Sequence, residues 1–154
     1  MIDFSALLHP KTMLAGVQAA NKKNLLTQLA GQLAQVHDLP AKAVAAALLD
    51  REKIGSTGFG AGIAIPHGKL EGAPRILGLF ARLAQPIDYA AIDQLPVDLL
   101  FVMLSPPNAG AEHLKALAGV SRRLRDQAFV AKLRGAGSPD ALYALWTEDG
   151  RELD

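Results

Sequence analysis

The stretch that decides the reading is Arg51-Glu52-Lys53-Ile54-Gly55-Ser56-Thr57-Gly58-Phe59-Gly60-Ala61-Gly62-Ile63-Ala64-Ile65-Pro66-His67-Gly68-Lys69-Leu70. It opens with charge, passes through four glycines, becomes a short apolar segment and stops at Pro-His-Gly. Glycines at 55, 58, 60 and 62 give a backbone that can take positive φ and pass close to a ligand. Ile63-Ala64-Ile65 is too short for a helix and reads as a strand. Pro66 fixes its own φ, keeps Ile65 extended and ends that strand. His67 then stands at a strand end beside backbone amides, and it is the candidate reactive residue.

Outward from this stretch, helices and strands alternate. Upstream, Ser5 to Leu8 reads as a helical turn and Met13 to Val17 as a strand. Asn21 is an N-cap for a helix marked by Leu25, Leu29, Leu33 and Val36. Pro40 suits the first turn of a second helix through Val44, Ala47 and Leu48 to about Lys53, so Arg51 falls in its last turn. Downstream, Ile76 to Leu83 is a strand closed by Gln85-Pro86, and Ile87 to Pro96 is a connection. Val97 to Leu104 is nearly all apolar, as in a strand buried on both faces. A helix follows from about Gly110 to Arg125 with Leu114, Leu117, Ser121 and Leu124 on one side. A helical piece spans Phe129 to Leu133. Ser138-Pro139-Asp140 starts a last helix with Leu142, Leu145 and Trp146 as its apolar side, and the tail after Glu148 is expected to fray. No internal repeat or linker breaks the pattern. An α/β sandwich follows, with helices covering a small sheet.

Composition narrows the function. The chain has 154 residues, half of them hydrophobic, which fits one compact domain. Its net charge is +1, from 16 basic and 15 acidic residues, which is no footprint for nucleic acid. Cysteine is absent, so thiolate chemistry and cysteine zinc sites are excluded. The N-terminus lacks the pattern of a signal peptide. The longest apolar run, Leu99 to Leu104, is far below the roughly 20 residues that span a bilayer. No membrane insertion and a cytoplasmic location are expected.

The glycines invite a nucleotide-binding reading, which fails. Gly58-x-Gly60 lacks the third glycine of G-x-G-x-x-G, and the run follows a helix and precedes a strand, the reverse of the required order. Gly62 to Gly68-Lys69 has five intervening residues where a P-loop needs four, and Leu70 stands where Ser or Thr would hold magnesium. There is no G-x-S-x-G elbow for a serine hydrolase. His67, His113 and Glu112 could form a zinc-type site, but no short His-x-His or His-x-x-x-His spacing supports it. His9 reads as a surface or packing residue and His37 as a helix-end residue. His113 differs, because it lies in the first turn of a helix, where anions are favoured.

A phosphoryl acceptor fits the residues better. It needs a neutral imidazole with one lone pair free and the other ring nitrogen held by a hydrogen bond. It also needs donors for phosphoryl oxygens carrying about −1.5 to −2 of charge. Arg51 is a natural bidentate clamp, though a cation at a helix C-terminus also serves the dipole. Ser56, Thr57 and Lys69 are further candidate phosphate contacts, and Lys69 could equally be a solvated charge. Phe59 and Leu70 are candidates for apolar residues around the histidine at a docking surface.

Asp50-Arg51-Glu52, Gly55-Ser56-Thr57-Gly58 and Gly62-Ile63-Ala64-Ile65-Pro66-His67-Gly68-Lys69 closely resemble the active-site segment of the fructose/mannitol-type enzyme IIA proteins of the bacterial phosphotransferase system. Ile92-Asp93, Pro96 to Phe101 and His113-Leu114 match the same pattern, and the likeness runs to about Trp146. The likeness is greatest to the nitrogen-regulatory branch. The resemblance implies a three-layer α/β/α sandwich with a mixed sheet of about five strands, and a single EIIA type-2 domain over residues 1–154. It implies that His67 is phosphorylated on Nε2, that His113 assists and that Arg51 is the active-site arginine. It implies no cofactor and no metal. The donor would be an HPr-like carrier, called NPr in the nitrogen branch. Regulated partners would be of the potassium-transport or sensor-kinase kind. No attached IIB or IIC segment is read in the chain. That favours the regulatory branch over a free-standing sugar IIA component that passes phosphate to a IIB domain.

Overall fold

A computed structural model describes residues 2–152, with side chains described to Glu148. A short helix α1 (Phe4–Leu7) and a 3-10 turn (Pro10–Thr12) lead into strand β1 (Met13–Val17). Two helices follow, α2 (Lys22–His37) and α3 (Ala41–Ile54). The glycine-rich stretch then supplies three very short strands, β2 (Gly58–Gly60), β3 (Ile63–Ala64) and β4 (His67–Lys69). The long strands β5 (Leu77–Ile87) and β6 (Val97–Ser105) come next, and helices α4 (Gly110–Leu124), α5 (Gln127–Gly135) and α6 (Pro139–Glu152) close the chain.

The sheet is mixed. Its main path runs β1-β5-β6-β3-β2, and β4 pairs with β6 off that path, making six strands in all. β5 and β6 are antiparallel, while β3 and β4 both run parallel to β6, one after the other along its length. Strand β6 is apolar from Leu99 to Leu104 because it is covered on both sides. Its even-numbered Leu100, Val102 and Leu104 face α2 and α3, where Leu25, Leu29, Leu33, Val44 and Leu48 meet them. Its odd-numbered Leu99 and Phe101 face α1 and α4–α6. On that second side Trp146 is fully buried, with the rings of Phe4, Phe80, Phe101 and Phe129 centred 4.9–5.3 Å away. The three layers thus have one aliphatic core and one aromatic core.

Several local expectations are corrected. β5 does not stop at Gln85-Pro86 but runs to Ile87. Its pairing with β1 ends at Leu83, and a register shift against β6 lies between Arg82 and Ile87, so Pro86 interrupts no regular ladder. Pro40 is the residue before α3 rather than in its first turn. In α4 the buried side is His113, Ala116, Gly119, Val120 and Leu124, and Leu114 is 67% exposed. Small residues let that helix lie close: a Cβ on Gly119 would meet the Ile2 side chain at 2.3 Å. Helix α6 continues beyond Glu148 to Glu152, and the last two residues of the expected frayed tail lie outside the described residues.

Candidate functional site

Pro66 separates two strands rather than ending one. Ile63-Ala64 pairs with Leu99-Leu100, the chain steps through Ile65-Pro66, and His67 opens β4 opposite Met103. The step is tied down at both ends, since Ile65 N–H donates to the Thr57 carbonyl at 3.0 Å and Met103 N–H donates to the Pro66 carbonyl at 2.9 Å. The turn from β2 to β3 carries positive φ at Ala61 (57°) and Gly62 (82°), the backbone of a tight two-residue hairpin. At Gly62 it is this positive φ that favours glycine, since the nearest atom to an added Cβ is the end of the flexible Arg134 side chain. Gly68 is required for a different reason. Its Cα faces the backbone of α3, and a Cβ would sit 2.9 Å from the Ala47 carbonyl oxygen. Strand β4 therefore rests directly on the helix that carries Arg51.

His67 is half-buried. Its Nδ1 lies 2.8 Å from the carbonyl oxygen of Ile65. A carbonyl only accepts, so Nδ1 carries the proton and Nε2 keeps its lone pair. Burial is the main cause that holds the His67 pKa below the usual histidine value. The Ile65 bond opposes this, the Arg51 charge adds to it, and the Glu52 charge opposes it. The imidazole is thus favoured neutral, with its lone pair on Nε2.

The ring of His113 is centred 5.6 Å from that of His67, at an interplanar angle of 55°. It is 6% exposed, and its Nδ1 lies 2.6 Å from the Ser105 hydroxyl. Ser105 is the last residue of β6 and pairs with Lys69, so one pair of adjacent strands positions both histidines. Burial first, then the charges of His67 and Lys69, lower the His113 pKa. Lys69 is exposed. Arg51 donates from Nη1 to the Gly55 carbonyl at 2.9 Å, which closes the end of α3. Its role at the helix terminus and its proximity to His67 therefore coexist.

The other two expected phosphate contacts are engaged elsewhere. Ser56 Oγ accepts from Gly58 N–H at 3.1 Å and approaches the Tyr89 carbonyl at 3.4 Å. The Thr57 hydroxyl is buried, bonded to Glu52 and 3.1 Å from the Tyr89 hydroxyl. Sequence reasoning missed Glu52, Tyr89 and Ser105 as parts of this neighbourhood. Glu52 stood in the Asp50-Arg51-Glu52 motif without a role of its own, and Tyr89 and Ser105 are polar residues outside any motif, brought in from separate elements. Phe59 and Leu70 pack against the two cores instead of standing out around His67. The large apolar side chains left exposed nearby in sequence are Ile54 (82%) and Leu114 (67%), which follow Arg51 and His113. Among the described residues, no group of three His, Asp or Glu side chains could hold a metal ion. Among them too, no helix is long and apolar enough to cross a membrane.

Comparison with known proteins identifies the family of the chain. Residues 6–148 match the family described as phosphoenolpyruvate-dependent sugar phosphotransferase system, EIIA 2. A nitrogen regulatory protein of Bradyrhizobium diazoefficiens is 46% identical over 139 residues, covering 90% of this chain and 91% of that protein. The crystal structure of nitrogen regulatory protein IIA-Ntr from Neisseria meningitidis superposes with a TM-score of 0.86 at 31% identity, covering 94% of this chain and 99% of that one. Enzyme IIA-mannitol of Escherichia coli, solved in complex with phosphorylated enzyme IIB-mannitol, shares the fold at a TM-score of 0.75 and 22% identity, with 91% and 98% covered. The six-stranded mixed sheet between two helical layers is the fold of these proteins. With the match spanning nearly all of it, the chain belongs to the EIIA type-2 family of the phosphotransferase system.

Proposed function

We propose that this protein is a phosphoryl-accepting regulatory IIA protein of a nitrogen-type phosphotransferase system, with His67 Nε2 as the acceptor. One observation carries the reading. The Ile65 carbonyl accepts a hydrogen bond from His67 Nδ1–H and leaves Nε2 as the ring nitrogen with a free lone pair. The donor is a phosphohistidine on an HPr-like carrier, the NPr type. As the carriers dock, the lone pair of Nε2 forms a bond to phosphorus while the donor N–P bond breaks, and the donor imidazole leaves with that electron pair. The Nδ1 proton stays where it is. Negative charge on the transferring oxygens is met by Arg51, Lys69 and His113, whose contribution is positioning and electrostatics. Ser56 contributes through the loop backbone it braces, and Thr57 through its hold on Glu52. No cofactor takes part.

Exposed Ile54 and Leu114, beside Arg51 and His113 in sequence, suit the apolar part of a docking surface. Phosphorylation places an anion between them. A regulated partner, of the potassium-transport or sensor-kinase kind, then distinguishes the two states by charge. This chemistry belongs in the cytoplasm, where such carriers work. The nitrogen branch is favoured by the similarity to nitrogen regulatory proteins over about nine-tenths of their length. The alternative is a sugar-type IIA component that hands phosphate to a IIB domain, as the mannitol complex suggests for its own pair.

The test is incubation with a phosphorylated HPr-type carrier. An acid-labile, base-stable phosphate is expected on the wild type and none on His67→Ala. Normal labelling of His67→Ala overturns the assignment. Efficient onward transfer to a IIB protein would replace the regulatory reading with the sugar-type one.

A further inference from the structure

Glu52 stands next to Arg51 but points into the protein. Its carboxylate is 5% exposed and takes hydrogen bonds from four groups. Oε2 pairs with the Lys22 ammonium at 2.7 Å and accepts from Thr57 N–H at 3.2 Å. Oε1 accepts from the Tyr89 hydroxyl at 3.0 Å and from the Thr57 hydroxyl. Lys22 is itself fixed: its ammonium donates to the Tyr89 carbonyl at 3.2 Å and lies 4.2 Å from the centre of the Tyr89 ring. The start of α2, the end of α3, the glycine stretch and the loop after β5 thus converge on one carboxylate. The desolvation penalty of a buried carboxylate is offset only by close pairing and hydrogen bonds of this kind.

The path from this carboxylate to the reactive ring is continuous. Glu52 holds the N–H of Thr57. The carbonyl of Thr57 holds the N–H of Ile65 at 3.0 Å. The carbonyl of Ile65 holds Nδ1 of His67 at 2.8 Å. The residues between are short-stranded and cannot rely on a long ladder, since β2 and β3 share only two paired positions. We infer that Glu52 is a positioning residue: through the Thr57 and Ile65 peptides it aims the carbonyl that fixes the tautomer and orientation of His67. It does not touch the phosphoryl group. Lys22 and Tyr89 hold Glu52 in turn. Residues that orient a ligating or reacting group in this way are commonly worth about 10- to 100-fold in activity.

The inference rests on the phosphoryl-acceptor reading, but its first measurement does not. Nitrogen-15 NMR of the imidazole reports the tautomer of His67 without any phosphate donor. In the wild type above pH 7.5, Nδ1–H is expected to dominate. In Glu52→Ala a mixture of Nδ1–H and Nε2–H is expected, with phosphoryl acceptance slower by roughly 10- to 100-fold. Glu52→Gln keeps one acceptor oxygen and should fall between the two, and Tyr89→Phe should move the tautomer less than either. Folding is checked by circular dichroism, and if Glu52→Ala fails to fold, Glu52→Gln and Tyr89→Phe carry the test. Folded variants with the wild-type tautomer and a rate within twofold overturn the inference. A shifted tautomer in a protein that accepts no phosphate would leave the positioning role standing and sink the acceptor reading instead.

Discussion

The molecule contains two pairs of histidines, alike in spacing but different in how their ring nitrogens are held. The rings of His67 and His113 are centred 5.6 Å apart, and those of His9 and His37 are 6.1 Å apart. In the first pair each Nδ1 has a partner from the sheet, the Ile65 carbonyl or the Ser105 hydroxyl. In the second, His9 Nδ1 accepts from Lys11 N–H to cap a 3-10 turn, and His37 Nε2 is buried with no hydrogen-bond partner. Both pairs sit near cations: Arg51 and Lys69 bear on the first, Arg75 on the second. Proximity of rings and positive charge therefore do not make a site. What sets His67 apart is a fixed tautomer with a free lone pair on Nε2, and that comes from the Ile65 carbonyl rather than from the ring itself.

The comparison can be broken most sharply by removing rings. His67→Ala should abolish phosphoryl acceptance, while His37→Ala and His9→Ala should stay within about twofold of wild type, the range of a change remote from the transition state. Quantitative labelling with a phosphorylated carrier measures both, and a large loss in His37→Ala would erase the contrast. Removing His113 should be next in size. His113→Ala should still be labelled, but roughly 10²-fold more slowly, the usual cost of deleting one preorganised donor. A single-turnover rate decides this. Arg51→Lys keeps the charge and loses the planar fork. It should cost about 1.5 kcal/mol, or roughly tenfold in the same rate.

The smallest effect concerns pH, and the two pairs should respond in different observables. The pKa values of His67 and His37 are both lowered, chiefly by burial. A depressed histidine binds fewer protons folded than unfolded, so its contribution to stability is present above about 6.5 and is lost as pH falls through the folded value. For His67 the readout is the rate. Acceptance should be flat from pH 8 to about 6.5 and decline only below it. A midpoint above 7 would contradict the neutral, shielded ring. For His37, beside His9 and Arg75, the readout is stability. Urea midpoints at pH 7.5 and 5.5 should differ more in wild type than in His37→Gln, with the rate unaffected.

How much of this was legible depended on whether a residue's partner was near in sequence. The apolar run of β6 declared a two-sided strand by itself. The helices on either side followed from Leu25, Leu29 and Leu33 and from the start signal at Ser138-Pro139-Asp140. The resemblance of the glycine stretch gave His67, His113 and Arg51 their expected roles, and the structure brings these residues together. Of the three strands within that stretch, β3 was legible at Ile63-Ala64-Ile65, whereas β2 and β4 were not. Two- or three-residue strands carry no periodicity; β3 and β4 form along the edge of β6 that β5 leaves open, and β2 pairs back on β3. The inward side of α4 was misread by one position because hydropathy favours Leu114 over Ala116 and Gly119, whereas close packing favours the small residues. Glu52 received no role of its own from the sequence. Its partners Lys22 and Tyr89 are 30 and 37 residues away in the chain, and only folding brings them together.

Gly68 has a further consequence. Because nothing but hydrogen stands between its Cα and the Ala47 carbonyl, the thickness of two backbones sets the gap between strand β4, which begins at His67, and helix α3, which carries Arg51. Side chains can repack with temperature or substitution, but main-chain contact has almost no give. The distance from His67 to the end of α3 is therefore an internal gauge, calibrated by a missing methyl group. Aliphatic changes elsewhere in the core can drift without resetting it.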